Sequence, residues 1–368
     1  MILSVAFLAL SVSFCAITSV EALKIGAFNI QIFGTNKMSN TEVADMLVRI
    51  CLRYDILLIQ EIRDSQGTAI LDLLDRVNRA SSANYDMVIS DRLGRTTNKE
   101  QYAFFYRTDV GLTLTNSYHY DDGDESMGND TFQREPFIVR FFSDRTVVED
   151  FVLVAIHTDP HEAVAELQAL DTVRESIVSK WRVTDVMILG DFNADCDFVR
   201  PIHWDSIGLW TRYRTYDWLI GDDVDTTITS TDCAYDRIVV SGPTLRGGVV
   251  LNSAGVYNFA KDLGLLCTCE ALAVSDHYPV EVDLIEPGAP ASAVTPAADP
   301  RPDSYLADMS VPLGELDFSR ALSTLRYAAE QVKYASGDRR MWLETYREAA
   351  ALVEEDIMLD ESHLASHT

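Results

Sequence analysis

Short apolar runs, each closed by polar residues, recur through residues 23–285 and constrain the fold more than any other feature. The runs are rich in Val, Ile and Phe and are five to eight residues long, which favours strands. The predicted strands are Lys24–Ile30, Asp55–Ile62, Tyr102–Tyr106, Phe137–Phe142, Asp150–Ile156, Asp185–Leu189, Tyr235–Val240 and Tyr278–Leu284. Two longer segments, Thr41–Arg53 and Ala163–Trp181, have helical spacing, and Asn40 or Thr41 is the expected N-cap of the first. Strands with interspersed helices predict two β-sheets packed face to face with helices outside.

The two ends of the chain differ from this central domain. Residues 1–22 are predicted to be a secretory signal peptide, because an apolar stretch precedes small residues and a cleavage point after Ala22. The protein is then secreted and extracellular, without membrane attachment once the signal is removed, and a membrane anchor is the alternative. Residues 286–313 contain six prolines and are predicted to be a linker. Residues 314–368 are predicted to form an acidic helical C-terminal extension, either a plain αα-hairpin or a surface that binds a partner.

The charge balance argues against a nucleic-acid-binding protein when composition is considered alone. The chain has 30 basic and 57 acidic residues, a net charge of −27. Such a protein repels a polyanion at long range. Binding to DNA therefore requires a local site strong enough to overcome that field.

Cysteine usage fits an oxidising compartment. Of the six cysteines, Cys15 is removed with the predicted signal peptide, and the odd number that remains leaves at least one thiol unpaired. The segment Cys267-Thr268-Cys269 alternates like a strand, so that neither a disulfide nor a metal site follows from it. The fate of Cys51 is also left open. Asn129 begins an N-x-S/T sequon and is a candidate glycosylation site on a surface loop.

Six apolar runs begin or end in residues that bind metal or phosphate or move protons. These residues are Asn29, Glu61, His157, Asp191, Asn193, Asp236, Asp276 and His277. Each feature alone would be consistent with an ordinary turn, but six in one domain favour a shared pocket at one edge of the packed sheets.

The residue types in this set suit hydrolysis of a phosphodiester. A carboxylate such as Glu61 binds Mg²⁺, and the metal neutralises charge that develops on phosphorus and its leaving oxygen. One histidine can accept the proton of an attacking water while the other protonates the departing 3′ oxygen. Glu100 and Asp236 are the candidate carboxylates that orient His157 and His277, respectively. The amides of Asn29 and Asn193 can donate to phosphate oxygens.

Several longer motifs together resemble the deoxyribonuclease I family, a branch of the endonuclease/exonuclease/phosphatase superfamily. The motifs with catalytic residue types are Leu58–Glu61, Gly190–Cys196, Cys233–Arg237 and Ser275–Val280. Further matching stretches that narrow the resemblance to this branch are Lys37–Asn40, Asp130–Pro136 and Ala163–Glu166. The resemblance extends from Leu23 to about Leu284.

The resemblance implies a four-layered α/β sandwich and a function. The expected enzyme is a secreted endonuclease, dependent on Mg²⁺ or Mn²⁺, that hydrolyses mainly double-stranded DNA with little sequence preference and leaves 5′-phosphates. His157 and His277 are implied to be the acid–base pair, supported by Glu100 and Asp236. The implied metal and phosphate cluster consists of Glu61, Asp191 and Asp276, with Asn29 and Asn193.

Further implied sites surround this centre. The residues matching DNA contacts are Arg63, Arg95 and Arg134. Two structural Ca²⁺ loops are implied, one formed by Asp225, Thr227, Thr229 and Thr231, the other by Asp122, Asp130, Phe132 and Glu135. Cys196 and Cys233 match the main disulfide of the family.

The chain also departs from the family pattern. Asp124 and Met127 stand where a second, small disulfide is expected, Gln31 replaces an arginine near the phosphate, and Asn98 replaces a tyrosine. Residues 87–89 and Phe137 lie where some members bind actin, and actin binding is left open. Two alternatives remain at this point: a phosphoesterase acting on another substrate, such as a phospholipid headgroup, and a non-catalytic binding protein.

Overall fold

The computed structural model describes residues 22–123, 127 and 130–289. The predicted signal peptide before residue 22, Asp124, the sequon residue Asn129, the linker from residue 290 and the C-terminal extension lie outside the described residues. In the described part of the chain, no helix is both long and apolar enough to cross a membrane.

Strands and helices alternate along the described chain. The strands are β1 (Leu23–Phe33), β2 (Ile56–Ile62), β3 (Tyr85–Ile89), β4 (Gln101–Arg107), β5 (Leu112–His119), β6 (Phe137–Ser143), β7 (Asp150–Ala155), β8 (Val186–Asp191), β9 (Tyr216–Trp218), β10 (Asp236–Ser241), β11 (Gly255–Val256) and β12 (Val280–Leu284). The helices are α1 (Thr35–Ser39), α2 (Thr41–Cys51), α3 (Thr68–Ala80), α4 (Ala163–Trp181), α5 (Gly208–Thr211), α6 (Pro243–Gly247), α7 (Phe259–Asp262) and α8 (Thr268–Val274), with a 3₁₀ helix at Pro201–Ser206.

The strands form two six-stranded mixed sheets, in the orders β11-β12-β1-β2-β4-β3 and β5-β6-β7-β8-β10-β9. Each sheet has a parallel pair at its centre, β1 with β2 in the first and β7 with β8 in the second, and the neighbouring pairs are antiparallel. Because the carboxyl ends of parallel strands meet at one edge, Asn29, Glu61 and Asp191 are brought to the same side of the molecule.

Three apolar clusters build four layers. Side chains such as Leu58, Phe104 and Leu153 fill the space between the two sheets. On the outer face of the first sheet, the helices α2, α3, α7 and α8 bury a second cluster, and α4 and α5 bury a third on the outer face of the second sheet. Alternation along β1 explains the arrangement, since Ala27 faces the centre and Phe28 faces the helices. The predicted sandwich of two sheets flanked by helices is confirmed.

The predicted elements are found with small shifts at their ends. Helix α4 has the predicted bounds, and α2 is capped by Asn40, whose Oδ1 accepts from the backbone amides of Glu42 and Val43. The structure also contains a third long helix, α3, and the strands β3 and β5, which the sequence analysis did not identify. Strand β3, which includes residues 87–89, is the outermost strand of its sheet.

The cysteines confirm one prediction and correct another. A disulfide joins Cys196 to Cys233, as the resemblance implied, and Cys51 is a buried free thiol. The strand interpretation of Cys267-Thr268-Cys269 is wrong: Cys267 is the N-cap of α8 and is disulfide-bonded to Cys269. Three residues are too few to distinguish the alternation of a strand from the first turn of a helix, so the Cys-Thr-Cys pattern fits both.

Candidate active site

Left-handed backbone conformations at the ends of three strands aim the polar side chains into one cleft. The backbone φ angle is 53° at Ile32, 57° at Glu61 and 46° at Asn193. Register shifts occur around Ile32 in the pairing of β1 with β2 and around Glu61 in the pairing of β2 with β4. Such irregularities cost conformational energy and re-aim side chains, and they concentrate beside functional sites.

A buried glutamine joins the two sheets directly beneath the cleft. The Nε2 of Gln60 on β2 donates to the Ile156 carbonyl at 2.8 Å, and its Oε1 accepts from the backbone amide of Asp191 at 3.0 Å. A Cβ on Gly190 would lie 2.3 Å from the Ile156 oxygen, so that glycine, at φ +132°, is needed for this approach. No role was predicted for Gln60. Its position in an otherwise apolar strand, next to Glu61, was the available signal.

Both predicted histidines face the same carboxylate oxygen. The Nε2 atoms of His157 and His277 lie 3.5 and 3.7 Å, respectively, from Oδ2 of Asp191. Asn29 donates to the same oxygen at 3.0 Å. The two imidazoles, contributed by opposite sheets, therefore share one cleft.

Each imidazole also has its own carboxylate partner. The Nδ1 of His157 lies 2.8 Å from Glu100 Oε1, and the Nδ1 of His277 lies 2.7 Å from Asp236 Oδ2. Burial and a neighbouring guanidinium lower the pKa of His157, but Glu100 and Asp191 raise it above its usual value. Burial also lowers the pKa of His277, and Asp236 and Asp191 raise it by more. With Nδ1 next to a carboxylate, each ring presents Nε2 to the cleft.

The remaining carboxylates form an oxygen-rich cluster beside the histidines. Glu61 Oε2 accepts from the Ile32 backbone amide at 2.8 Å, and Asp276 Oδ2 accepts from the side chain of Gln31 at 2.8 Å. Among the described residues, Oδ1 of Asn29 and Oδ1 of Asp276 are buried without a hydrogen-bond partner. Buried oxygens of this kind fit a hard divalent cation such as Mg²⁺ or Mn²⁺.

The amides expected to donate to phosphate have protein acceptors in this structure. Asn29 Nδ2 donates to Asp191 and, at 3.3 Å, to Glu61. Asn193 Nδ2 donates to the Thr158 carbonyl at 3.1 Å. Donation to phosphate by these two residues stays a prediction.

The three arginines expected to contact DNA differ in exposure and in their partners. The guanidinium of Arg63 contacts Glu61 at 2.8 Å and remains 34% exposed. Arg134 is nearly buried: it ion-pairs with Glu100 at 2.8 Å and donates to the carbonyls of His157 and Thr158, also at 2.8 Å. Arg134 therefore holds the backbone of His157 in place. Arg95 contacts Asp130 through the backbone carbonyl at 2.8 Å and the carboxylate at 3.1 Å.

The segments expected to bind Ca²⁺ each gather oxygen atoms. In the first, the Thr227 hydroxyl lies 2.9 Å from Asp225 Oδ1 and 2.7 Å from the Thr231 carbonyl, and the hydroxyls of Thr229 and Thr231 contact each other. This loop pairs with the segment of His277 through a bridge between Thr227 and His277.

In the second segment, Asp122 Oδ2 accepts from the backbone amides of Thr131 and of the fully buried Phe132. Burial raises the pKa of Glu135, and the nearby carboxylates of Asp130 and Asp122 raise it further. Three mutually repelling carboxylates are an arrangement that a bound cation would stabilise.

The domain formed by these elements matches known proteins. Residues 26–277 match the model of the endonuclease/exonuclease/phosphatase family, so the chain belongs to that family. The solved structure of an endonuclease/exonuclease/phosphatase from Bacteroides vulgatus has the same fold, with a TM-score of 0.50 and 19% identity, covering 73% of this chain and 100% of that one.

The chain belongs, within that class, to the deoxyribonuclease I family. It is 53% identical over 263 residues to deoxyribonuclease-1 of Homo sapiens and 50% identical over 263 residues to that of Bos taurus. Each alignment covers 72% of this chain and 92% of the relative. The predicted family and class of enzyme are confirmed.

Proposed function

We propose that this protein is a secreted, divalent-metal-dependent endonuclease that hydrolyses phosphodiester bonds of DNA. The observation that carries the proposal is the convergence of two imidazoles on one carboxylate oxygen, each backed by a carboxylate of its own. DNA as the substrate is supported by relatives of about 50% identity that are named deoxyribonuclease-1. Secretion is supported by two disulfides, because these bonds persist in oxidising compartments.

The proton transfers follow from the orientation of the rings. Nδ1 of His157 faces Glu100 and Nδ1 of His277 faces Asp236, so that only the Nε2 atoms are available to a bound phosphate. One Nε2 accepts the proton of an attacking water, and the other gives a proton to the departing 3′ oxygen. This cleavage leaves a 5′-phosphate. The carboxylates keep each ring in the required tautomer and stabilise its charged form.

Glu61, Asp191 and Asp276 would hold the Mg²⁺ or Mn²⁺ of the site, and Asn29 beside them would contribute a phosphate contact. The bound metal supplies stabilisation of the negative charge that develops on the phosphate. Asn193 would contribute a phosphate contact through its remaining N–H. The fit is supported by Oδ1 of Asn29 and Oδ1 of Asp276, which are among the buried oxygens that lack a hydrogen-bond partner in the described part of the chain.

Ca²⁺ in the two oxygen-rich loops would support the site from its edges. The loop of Asp225, Thr227, Thr229 and Thr231 flanks His277, and the loop of Asp122, Asp130, Phe132 and Glu135 leads into Arg134. Bound cations also offset part of the repulsion between this acidic protein and DNA. Contacts from Arg63, Arg95 and Arg134 to the DNA backbone or minor groove would give little sequence preference.

The proposal is tested with the purified, oxidised protein and a supercoiled plasmid. We expect nicking in Mg²⁺ plus Ca²⁺, complete loss in excess EDTA, and 5′-phosphorylated products that a ligase can reseal. A parallel assay with phosphodiesters of phospholipid headgroups tests the alternative substrate class. Turnover of the lipid substrates without cleavage of DNA would overturn the proposal, and so would nicking that persists in chelator.

A further inference from the structure

Lys37 lies beside the cleft but belongs to none of the proposed catalytic, metal, DNA or calcium sites. It sits on α1, the short helix that follows β1, and its side chain is half-buried. The ammonium group contacts two backbone carbonyls: it lies 3.4 Å from that of Ile30 on β1 and donates to that of Val274. Its hydrogen bonds therefore connect β1 to the last residue of α8.

The carbonyl of Val274 is one of those that a helix leaves without an internal partner at its C-terminus. A cation at this end both satisfies the oxygen and interacts favourably with the helix dipole. Burial lowers the pKa of Lys37 to about 8, while Asp276 and Glu61 favour its charged form, so the group carries its charge at neutral pH.

The residues that follow Val274 carry the catalytic histidine. The hydroxyl of Ser275 donates to the Asn29 carbonyl on β1 at 2.6 Å and accepts from the backbone amide of His277 at 3.1 Å. On the other side of this segment, the backbone amide of Ile228 donates to the Asp276 carbonyl at 2.7 Å. Residues 274–277 are thus held on one side by β1 and α1, and on the other by the loop around Thr227.

We propose that Lys37 is a positioning residue for His277, acting through the carbonyl of Val274. Its ammonium fixes the end of α8 against β1, so that Ser275 can reach the Asn29 carbonyl and His277 points Nε2 at the scissile phosphate. This inference rests on the proposed nuclease function. Since the hydrogen bonds of Lys37 go to protein carbonyls, it does not act as a phosphate contact.

The test compares Lys37→Met, which keeps the length of the side chain but removes its charge and donors, with Lys37→Arg, which keeps both. Lys261→Met is the control, because Lys261 is exposed on α7 and its loss changes the net charge equally. We expect Lys37→Met to lower kcat for plasmid nicking by roughly tenfold to a hundredfold, the scale of a misplacement of about 1 Å. KM and its salt dependence should stay within about twofold, because no phosphate contact is lost. Lys37→Arg should recover most of kcat, and Lys261→Met should behave as the wild type.

Hydrogen exchange gives a readout independent of catalysis. In Lys37→Met, the amides of residues 275–278 should exchange faster, while those of β8 keep the protection of the wild type. Wild-type kcat in Lys37→Met would overturn the proposal. A raised KM with a weaker salt dependence would also overturn it, because that result indicates a phosphate contact. Equal losses of activity and of folded protein in Lys37→Met and Lys37→Arg would overturn it as well, because they indicate a role in global stability. A wild-type protein that does not cut DNA refutes the proposed function instead, so the two failures are distinguishable.

Discussion

The bridge made by Gln60 between the two sheets leads to a quantitative prediction about Gln60→Met. Methionine has a similar length and shape but cannot hydrogen-bond to the Ile156 carbonyl or to the Asp191 amide. Both groups are buried, and each buried polar group left without a partner costs about 1–3 kcal/mol. The free energy of unfolding should therefore fall by about 2–6 kcal/mol. Activity should fall as well, because the backbone amide of Asp191 loses the hydrogen bond to Gln60 that positions this residue in the cleft.

The assay is thermal unfolding of the oxidised protein at pH 7, monitored by circular dichroism. For a domain of this size, even a loss of about 2 kcal/mol lowers Tm by about 4–8 °C. Gln168→Met is the matched control, because the Gln168 side chain donates to Ser206 on the exposed surface. Its effect should stay within about 0.5 kcal/mol. A Gln60→Met protein with the Tm of the wild type would refute the bridging role.

Two further predictions concern pH and redox state. Burial raises the pKa of Glu166 to about 7 from 4.5, so its contribution to stability is fully present below pH 4.5 and is lost as pH rises through 7. Glu166→Gln keeps an acceptor for the two backbone amides that Glu166 binds. The Tm of this variant, relative to that of the wild type, should rise as the pH increases from 4.5 to 7. The same pH dependence of Tm in both proteins would contradict the raised pKa of Glu166. The disulfide Cys196–Cys233, with a sequence separation of 37, should stabilise the folded state by about 4 kcal/mol. The disulfide Cys267–Cys269, with a separation of 2, should contribute only ~1.6 kcal/mol. The exposed Cys267–Cys269 bond should therefore open first under limiting dithiol, as followed by alkylation and mass spectrometry, and earlier opening of Cys196–Cys233 would contradict this order.

The central part of the site was predictable because each functional residue adjoins an apolar run. Glu61 and Asp191 lie at the ends of strands, and Asn29 lies where the regular pairing of β1 with β2 stops, so that packing two sheets brings them to one edge. The pairing of His157 with Glu100 and of His277 with Asp236 was also predicted, and in the structure these side chains lie 2.8 and 2.7 Å apart, respectively, while their catalytic roles stay predictions.

Other features could not be derived from the pattern. A buried glutamine must hydrogen-bond, but its sequence neighbours do not indicate that the partners of Gln60 lie on the opposite sheet. Strand β5 is an edge strand with many exposed polar residues and therefore lacks an apolar run. Helix α3 is different, since Ile70, Leu73 and Val77 have helical spacing that the sequence already contained.

The most direct test of the proposed chemistry is the nicking rate of His157→Ala, His277→Ala and the double variant at saturating Mg²⁺. Each single change should lower kcat by roughly a hundredfold or more, the usual scale for a general acid or base. The double variant should be little slower than the singles, because two groups that act together on one phosphate are lost as a unit. A single variant that cuts at the wild-type rate would contradict the assignment of that histidine, and two such variants would contradict the catalytic site as a whole.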